Sequence, residues 1–286
     1  DVDAEVVGRP PFIGNRVFRP AIGWFTNGRR RRCGILISLE LAKGKTMASA
    51  NRYATSWESF WSTSTGAPGE IFWDADPAYA AQQDLPLFQD YADPQLPLID
   101  LGCGNGTQTR FLADHFARVV GTEISPAAVA IAGTTNAAPN ISYRILDVLS
   151  PDAAQTLHQE IGDANLYMRG VLHQLSPTDQ VAAIQSIERL LGRRGTLYFI
   201  ELSSAAEPYL TQLIKQYGPP PGLARVFQHA ITPGKFNESE LEKLLPPDRF
   251  TLISTGKSHI QTVHTLPTGE VVMVPAFYAV IRRRKN

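Results

Sequence analysis

A glycine-rich segment that follows an apolar run has the clearest chemical implication in this sequence. In "LIDLGCGNGTQTRFL", residues 98–112, Gly102, Gly104 and Gly106 alternate with other residues. Glycine lets a backbone turn tightly and approach a bound molecule without an intervening Cβ atom. In open α/β folds, ligands bind where a first strand passes into its helix, and the start of that helix presents free N–H groups. We therefore predict a ligand-binding loop here, with the helix beginning near Asn105.

The spacing of the glycines and a nearby acid narrow the choice of ligand. The pattern is G-x-G-x-G, and Thr107 stands where the last glycine of the dinucleotide pattern G-x-G-x-x-G would be. Asp100 precedes the first glycine by two positions, where it would oppose a diphosphate but suit a ligand with a cationic end. The phosphate-binding pattern G-x-x-x-x-G-K-[ST] does not occur. A cationic nucleoside derivative is therefore favoured over a dinucleotide.

Two more acids follow the next predicted strands. Glu123 ends the second strand, where a carboxylate accepts hydrogen bonds from the two hydroxyls of a ribose. Asp147 follows the third strand and can reach an adenine amino group, although an acid at a helix N-terminus is also common. Adenosine joined to a charged amino-acid end meets all three requirements, which predicts S-adenosyl-L-methionine as the cofactor.

Candidates for acceptor chemistry are fewer. His173 follows the fourth strand and could take a proton from a hydroxyl or an amine, but a packed or capping histidine is an equal alternative. Tyr53, Trp57 and Trp61 share one helical face, which suits either the core or a substrate site. Cys103 lies inside the glycine loop with no identifiable base partner, so we interpret it as a small filler and not a nucleophile.

The elements that would position these residues alternate regularly. Five apolar strands alternate with helices over residues 96–202, which predicts a parallel sheet with helices on both faces. Ser-Pro pairs open three of the helices, and Ser125 and Ser176 are predicted N-caps. Beyond residue 202 we predict a helix near 206–217, a stiff break at "GPPPGL", and a helix capped by Asn237. The last two strands have no helix between them and should pair as an antiparallel hairpin at the sheet edge.

These motifs resemble those of a known family. "LIDLGCGNGTQTRFLA" with "VVGTEISPAAVAIA" is similar to the first two motifs of class I S-adenosylmethionine-dependent methyltransferases, and "ILDVLS" and "ANLYMRGVLHQL" are similar to the next two. The aromatic opening "SWESFW" loosely resembles small-molecule members of the thiopurine-methyltransferase type. The resemblance implies a three-layer, doubly wound α/β sandwich with N-terminal cap helices. Its mostly parallel sheet would have seven strands in the order 3-2-1-4-5-7-6, with the last strand antiparallel.

The resemblance also implies roles for individual residues. The loop from Asp100 would line the methionine end, Glu123 would hold the ribose, the segment after the third strand would flank the adenine, and the end of the fourth strand would lie beside the ligand. One departure from the family pattern is Asn165, where many relatives carry an acid. The predicted cofactor-binding set is Asp100, Gly102, Cys103, Gly104, Asn105, Gly106, Glu123, Ile124, Asp147, Val148, Arg169 and Gly170. The predicted substrate-binding set is Tyr53, Trp57, Trp61 and His173, with Phe227 and Tyr278 as further pocket residues.

Charge and composition divide the chain. It has 286 residues and a formal net charge of zero, but residues 1–46 hold nine Lys/Arg against four Asp/Glu. This segment lacks a helical or strand period, so we interpret it as a disordered leader or a non-native extension. Residues 47–286 are then one domain: a helical cap (47–95), a cofactor-binding half (96–202) and a C-terminal, substrate-side half (203–286). Two cysteines and no long apolar run fit a cytoplasmic protein without a membrane span.

The function predicted from these observations is methyl transfer by direct in-line displacement to an O, N or S atom of a small, partly apolar molecule. A slightly acidic body and the absence of an "NPPY"-like run make a nucleic-acid acceptor a poor match. No metal is expected, because the histidines lack ligand spacing, and the protein is expected to be a monomer or a homodimer. The alternatives are a tRNA or protein methyltransferase that uses the basic N-terminus as a docking arm, a non-catalytic cofactor-binding protein, and an NAD(P) oxidoreductase, which the glycine spacing disfavours.

Overall fold

The structure is a computed structural model that describes residues 49–67, 69–231 and 236–284. The predicted N-terminal extension, residues 1–46, lies outside the described residues. The proposed division of residues 47–286 into cap, cofactor half and substrate half stays a prediction.

A seven-stranded sheet forms the centre of the domain. Its order is β3-β2-β1-β4-β5-β7-β6, the first five strands are parallel, and β7 runs antiparallel to both β5 and β6. The predicted sheet order and the antiparallel hairpin are therefore confirmed. The strands are β1 Leu98–Leu101, β2 Val119–Glu123, β3 Ile141–Ile145, β4 Asn165–Arg169, β5 Thr196–Leu202, β6 Phe250–Thr265 and β7 Val271–Arg283.

Helices cover both faces of this sheet. The described residues contain α1 Ser49–Trp61, α2 Ala81–Phe88, α3 Thr107–Leu112, α4 Pro126–Thr135, α5 Pro151–Ile161, α6 Pro177–Leu191, α7 Ala206–Tyr217, α8 Pro221–Gln228 and α9 Leu241–Leu244. Alternate strand residues enter different core clusters. Leu166 and Met168 pack with residues of α5 and α6, and Tyr167 between them packs with residues of α2 and α3. This alternation is the period-two geometry of a strand buried on both sides.

The predicted Ser-Pro helix starts are confirmed. The hydroxyl oxygens of Ser125, Ser150 and Ser176 accept hydrogen bonds from the backbone N–H groups three residues later, and proline occupies the first helical turn each time. Proline fits there because the first N–H groups of a helix have no partner within it. These caps fix where three helices begin, directly beside the carboxyl ends of the strands.

Three boundaries differ from the sequence prediction. Helix α3 begins at Thr107, two residues after Asn105, because Gly106 at its N-cap has a left-handed backbone, and it ends at Leu112. The "GPPPGL" segment is not only a break, because Pro221 is the first residue of α8. The predicted Asn237 cap is present, but it accepts from Ser239 N and opens a short 3₁₀ turn, Glu238–Glu240, before α9. Within the described ranges, no helix has the length and apolar character needed to cross a membrane.

Candidate functional site

A cavity lies at the carboxyl ends of β1 to β4. The glycine loop, the ends of β2 and β4 and the loop after β3 form one part of its wall. The cap helix α1, helices α7 and α8 and the β6–β7 hairpin form the rest. This is the edge at which open α/β sheets bind ligands.

The glycine loop brings its backbone against the cavity. Gly102 and Gly104 line the wall with φ angles of +79° and +56°, in the left-handed region. A Cβ atom on Gly102 would lie 2.6 Å from Cγ2 of Val171, so glycine is required both for the conformation and for the space. The result is a cradle of backbone that a side chain would fill.

Glu123 stands at the end of β2 on the same wall. Its Oε1 atom accepts hydrogen bonds from Ile124 N at 2.7 Å and from Ser125 N at 3.2 Å. Burial raises the pKa of this carboxyl, and these backbone donors act in the opposite direction. The neighbouring Ile124 also lines the cavity. The carboxylate is therefore held in a fixed orientation beside the glycine loop.

Asp147 and Val148 line the cavity after β3. Asp147 Oδ1 accepts a hydrogen bond from Leu149 N at 2.9 Å, and partial burial raises the pKa of the carboxyl. This contact organises the turn that leads to the Ser150 cap of α5. Both predicted residues are thus brought to the same wall as Glu123.

Four predicted loop residues do not line the cavity. Asp100 is buried behind the loop, where it accepts a hydrogen bond from Thr109 Oγ1 at 2.5 Å. Burial raises the pKa of Asp100 to about 7, and nearby Glu123 adds to that shift. Asp100 therefore supports the loop from behind. The four predicted residues outside the cavity wall are Asp100, Cys103, Asn105 and Gly106.

The other side chains of this loop also point into the protein. Burial raises the pKa of the Cys103 thiol well above its usual range, which agrees with its interpretation as a filler. Asn105 donates from Nδ2 to Asp74 Oδ2 at 2.6 Å, and Thr107 Oγ1 donates to the same oxygen at 3.0 Å. Asp74 thus ties the segment after α1 to the glycine loop, and sequence reasoning missed it.

Arg169 and Gly170 line the cavity at the end of β4. Arg169 Nη1 donates to Asp84 Oδ2 at 3.3 Å, and this buried carboxylate also accepts from the hydroxyls of Tyr167 and Tyr198, each at 2.7 Å. The second guanidinium nitrogen, Nη2, is buried without a hydrogen-bond partner in the described part of the chain. Asp84 on α2 therefore orients the guanidinium group of Arg169, and the Nη2 donor of Arg169 remains available to a ligand.

His173 also lines the cavity, in the 3₁₀ turn Leu172–Gln174 after β4. Its Nδ1 atom lies 2.6 Å from Oε2 of Glu201, a residue of β5 that is 0% exposed. Its Nε2 atom lies 2.7 Å from the amide nitrogen of Gln174, and Gln174 Oε1 is buried without a partner among the described residues. His173 is therefore packed against a carboxylate and also contacts the cavity, and its role as a base stays a prediction.

The part of the wall formed by α1 and α8 is rich in aromatic side chains. Tyr53, Trp57 and Trp61 of α1 all contribute to it, as does Phe227 of α8. Tyr53 also donates from its hydroxyl to Asp179 Oδ2 at 2.9 Å, which ties α1 to the start of α6. Tyr278 is not part of this wall and instead stacks on Tyr198, with 6.1 Å between ring centroids.

Asn165 has a structural role far from the wall. It is fully buried at the start of β4, where its Oδ1 atom accepts from Thr196 N at 3.3 Å and its Nδ2 atom donates to Asp93 O at 2.8 Å. Asn165 is therefore not among the side chains that line the cavity. Over the same described ranges, no group of three or more His, Cys, Asp or Glu side chains could hold a metal ion.

Comparisons with known proteins agree with this fold. A family model described as a methyltransferase domain matches residues 98–195. The chain is 42% identical to a SAM-dependent methyltransferase from Anabaena variabilis, over 81% of this chain and 95% of that one, with a TM-score of 0.77. It also shares its fold with the N-methyltransferase NodS from Bradyrhizobium japonicum in complex with S-adenosyl-L-homocysteine, at 16% identity, 81% and 100% coverage and a TM-score of 0.51. No curated protein matches the chain.

The chain therefore belongs to the S-adenosylmethionine-dependent methyltransferases. Its cofactor is S-adenosyl-L-methionine, as predicted from the glycine loop and the acids that follow it. The enzyme is thus a methyltransferase of the class I fold.

Proposed function

We propose that this methyltransferase transfers a methyl group to an O, N or S atom of a small, partly apolar molecule. One observation carries the proposal: the cavity that begins at the glycine loop continues into an apolar chamber roofed by Trp57 and Trp61 of α1 and by Phe227 of α8. A pocket built of apolar and aromatic side chains with few polar groups suits a small organic ligand.

The residues of the first part of the wall fit the cofactor. The cradle at Gly102 and Gly104 admits a molecule close to the backbone, and the fixed carboxylate of Glu123 suits a ribose diol. Trp61 Nε1 and Arg169 Nη2 are buried donors with no partner in the described part of the chain, and each would find an acceptor in a polar group of the cofactor. Ile124, Asp147, Val148 and Gly170 would complete the site around the nucleoside.

Buried Asp100 would act on the cofactor through the loop and not by contact. Its hydrogen bond to Thr109 joins the end of β1 to α3 across the loop. Both ends of the glycine loop are therefore held in place. Cys103, Asn105 and Gly106 would support the same turn, with their side-chain positions directed away from the cavity.

The chain's own contribution to catalysis is mainly alignment. The cofactor supplies a methyl group activated by a sulfonium centre. The walls around it hold the acceptor in line with that methyl group, and correct placement of reacting groups can supply roughly 7–11 kcal/mol. The aromatic roof excludes water from the reacting groups. His173 would accept a proton where the acceptor carries one.

A tRNA or protein acceptor is the alternative function, with residues 1–46 as the docking arm. The two are separated by incubating the full chain and a chain lacking residues 1–46 with the cofactor. Release of S-adenosyl-L-homocysteine would be followed with small aromatic hydroxyls, amines and thiols, with bulk tRNA and with cell protein. The proposal requires release with a small acceptor, at equal rates for both chains. Release with tRNA or protein alone, lost on truncation, would contradict it.

A further inference from the structure

The carboxylate of Glu201 is saturated by the turn that carries His173. It accepts hydrogen bonds from Val171 N at 2.8 Å, from Leu172 N at 2.7 Å and from His173 N at 3.2 Å, in addition to the ring contact at 2.6 Å. Four donors around one fully buried carboxylate fix the imidazole with Nδ1–H directed at Glu201. In the neutral ring the other nitrogen, Nε2, is then a hydrogen-bond acceptor.

The part of the cavity where we place methyl transfer lies near Nε2 of His173. A Cβ atom on Gly170 would be 3.3 Å from Cε1 of His173, so the ring adjoins the end of β4 beside the cofactor part of the wall. The present neighbour of Nε2 is the amide of Gln174, whose Oε1 atom is buried and unpaired within the described ranges. In the neutral ring this amide N–H occupies Nε2, so Gln174 has to turn aside before an acceptor hydroxyl can donate to that nitrogen.

Within the described part of the chain, the rest of the chamber offers no charged side chain to an ionised acceptor. Among the described residues that line it beyond His173 and Gln174, the side chains are apolar or aromatic apart from Thr262, whose hydroxyl already donates to Val272 O at 3.0 Å. The hydroxyl of Tyr53 already donates to Asp179 Oδ2 at 2.9 Å. An ionised group transferred into such surroundings loses its hydration without compensation. The acceptor must therefore enter as a neutral molecule. The apolar wall of the chamber includes Phe72, Leu210, Leu223, Ile260 and Val274.

We propose that the acceptor is a neutral, apolar molecule with a phenol-type hydroxyl, and that His173, positioned by Glu201, removes the hydroxyl proton. This inference rests on the proposed function. The acceptor oxygen forms a bond to the methyl carbon while the carbon–sulfur bond breaks, its electron pair stays on sulfur, and the hydroxyl proton moves to Nε2 of His173. The products are a methyl ether, S-adenosyl-L-homocysteine and the protonated imidazole, which later releases its proton to water.

The chemical type of the acceptor's head group follows from whether its nucleophilic atom carries a proton that a base must remove. A carboxylic acid is already ionised at neutral pH and needs no base, and an alkylamine enters as a cation. A phenol, like tyrosine with a pKa of about 10, is neutral in water yet acidic enough for an imidazole to assist. A phenol-type hydroxyl is therefore the head group that uses both the base and the neutral chamber.

Four naphthalenes with one body and different head groups test this assignment: naphthol, naphthylamine, naphthalenethiol and naphthoate. Binding is followed by tryptophan fluorescence without cofactor, and turnover by release of S-adenosyl-L-homocysteine. We expect naphthol to bind and to be methylated at least about 100-fold faster than the others, the range of general-base catalysis. Preferred methylation of the amine, thiol or carboxylate would overturn the hydroxyl inference and leave the small-molecule function intact. Binding of naphthol without its methylation would also overturn it. Activity with tRNA or protein alone would overturn both.

A second test separates base catalysis from a structural role. His173→Asn keeps a donor toward Glu201 but lacks a basic nitrogen. It should slow naphthol methylation at least about 100-fold, with little change in the KM for naphthol. The same variant should turn over a nitronaphthol, which binds in its neutral form and whose more acidic hydroxyl needs no base, within a few-fold of the unmodified enzyme. Equal losses with both acceptors would contradict the proposal.

Glu201→Gln should slow the methylation of naphthol but not that of nitronaphthol, as His173→Asn does, because Glu201 is a positioning residue that acts through His173. The two acceptors are compared in one protein sample, so a partly unfolded variant still gives an informative ratio. His259→Asn, the same substitution at an exposed position of β6, is the matched control and should leave both rates unchanged.

Discussion

The indole ring of Trp61 packs directly against the backbone of Gly104: a Cβ atom on Gly104 would lie 3.0 Å from Cζ2 of Trp61. One residue belongs to the cap helix α1 and the other to the glycine loop, so the two elements share one packed contact. Asp74 reinforces it by bonding Asn105 and Thr107. The position of helix α1 and the shape of the glycine loop are therefore coupled.

Gly104→Ala should weaken cofactor binding through this contact. The left-handed backbone costs an alanine roughly 1–2 kcal/mol, and the new methyl group pushes on Trp61. We expect the Kd for S-adenosyl-L-homocysteine, measured by calorimetry, to rise about tenfold or more, since about 1.4 kcal/mol is tenfold. Gly133→Ala is the matched control. Its Cβ would meet no atom within 4 Å in α4, so affinity should stay unchanged. Equal affinities for the two variants would show that the contact does not matter.

The regular part of the fold was predictable because local signals agreed with one another. The alternation of apolar strands with Ser-Pro helix starts gives the five parallel units, and the missing helix between the last two strands gives the hairpin. Helix α8 was missed because "GPPPGL" predicts a break, and only packing of Leu223 and Val226 into the interior shows that Pro221 begins a helix. Proline is compatible with either outcome at that position.

Site residues were predictable where the backbone pattern itself carries them. Gly102, Gly104 and Glu123 follow from strand ends, and the structure brings them to one wall. Asp84 and Glu201 could not be assigned, because their partners are distant in sequence. Glu201 did leave one signal, a lone acid in the otherwise apolar strand "TLYFIEL", since a buried carboxylate requires partners.

Asp100→Asn tests the burial of this carboxyl through its pH dependence. The pKa of Asp100 in the folded protein is raised to about 7, above the unfolded value of about 3.9. The folded state therefore holds the proton more tightly, and this contribution to stability is present below about pH 4 and lost as pH rises through 7. Unmodified protein should lose stability relative to Asp100→Asn between these limits, by a few kcal/mol at most at about 1.4 kcal/mol per pKa unit. Chemical unfolding at several pH values measures the difference, and a constant difference would contradict the prediction.

Phe227→Ala should affect the acceptor and not the cofactor. Phe227 lines the apolar chamber but is 46% exposed, so its truncation should cost little stability. We expect the acceptor KM to rise several-fold through loss of about 1 kcal/mol of apolar contact. The affinity for S-adenosyl-L-homocysteine should not change. Leu252→Ala, at a similarly exposed position of β6 outside the cavity wall, serves as the control. An unchanged KM would remove Phe227 from the acceptor site.

Tyr198→Phe should destabilise the buried cluster that holds Arg169. It removes one of the two hydroxyls that donate to Asp84 and leaves part of that carboxylate without a partner. The expected loss is about 1–3 kcal/mol in the free energy of unfolding. Tyr79→Phe, at a position 58% exposed, should cost nothing by the same denaturant titration. A loss no larger than that of the control would mean that water replaces the hydroxyl.

The most direct test of the whole account is calorimetry with S-adenosyl-L-homocysteine on the unmodified protein and on Glu123→Ala. The control is Glu160→Ala, which removes an exposed acid of α5. We predict one site per chain in the unmodified protein and in the control, and an affinity about 10- to 100-fold lower in Glu123→Ala, as expected for hydrogen bonds to a charged group. Absence of binding to the unmodified protein, or equal affinity in Glu123→Ala, would contradict it.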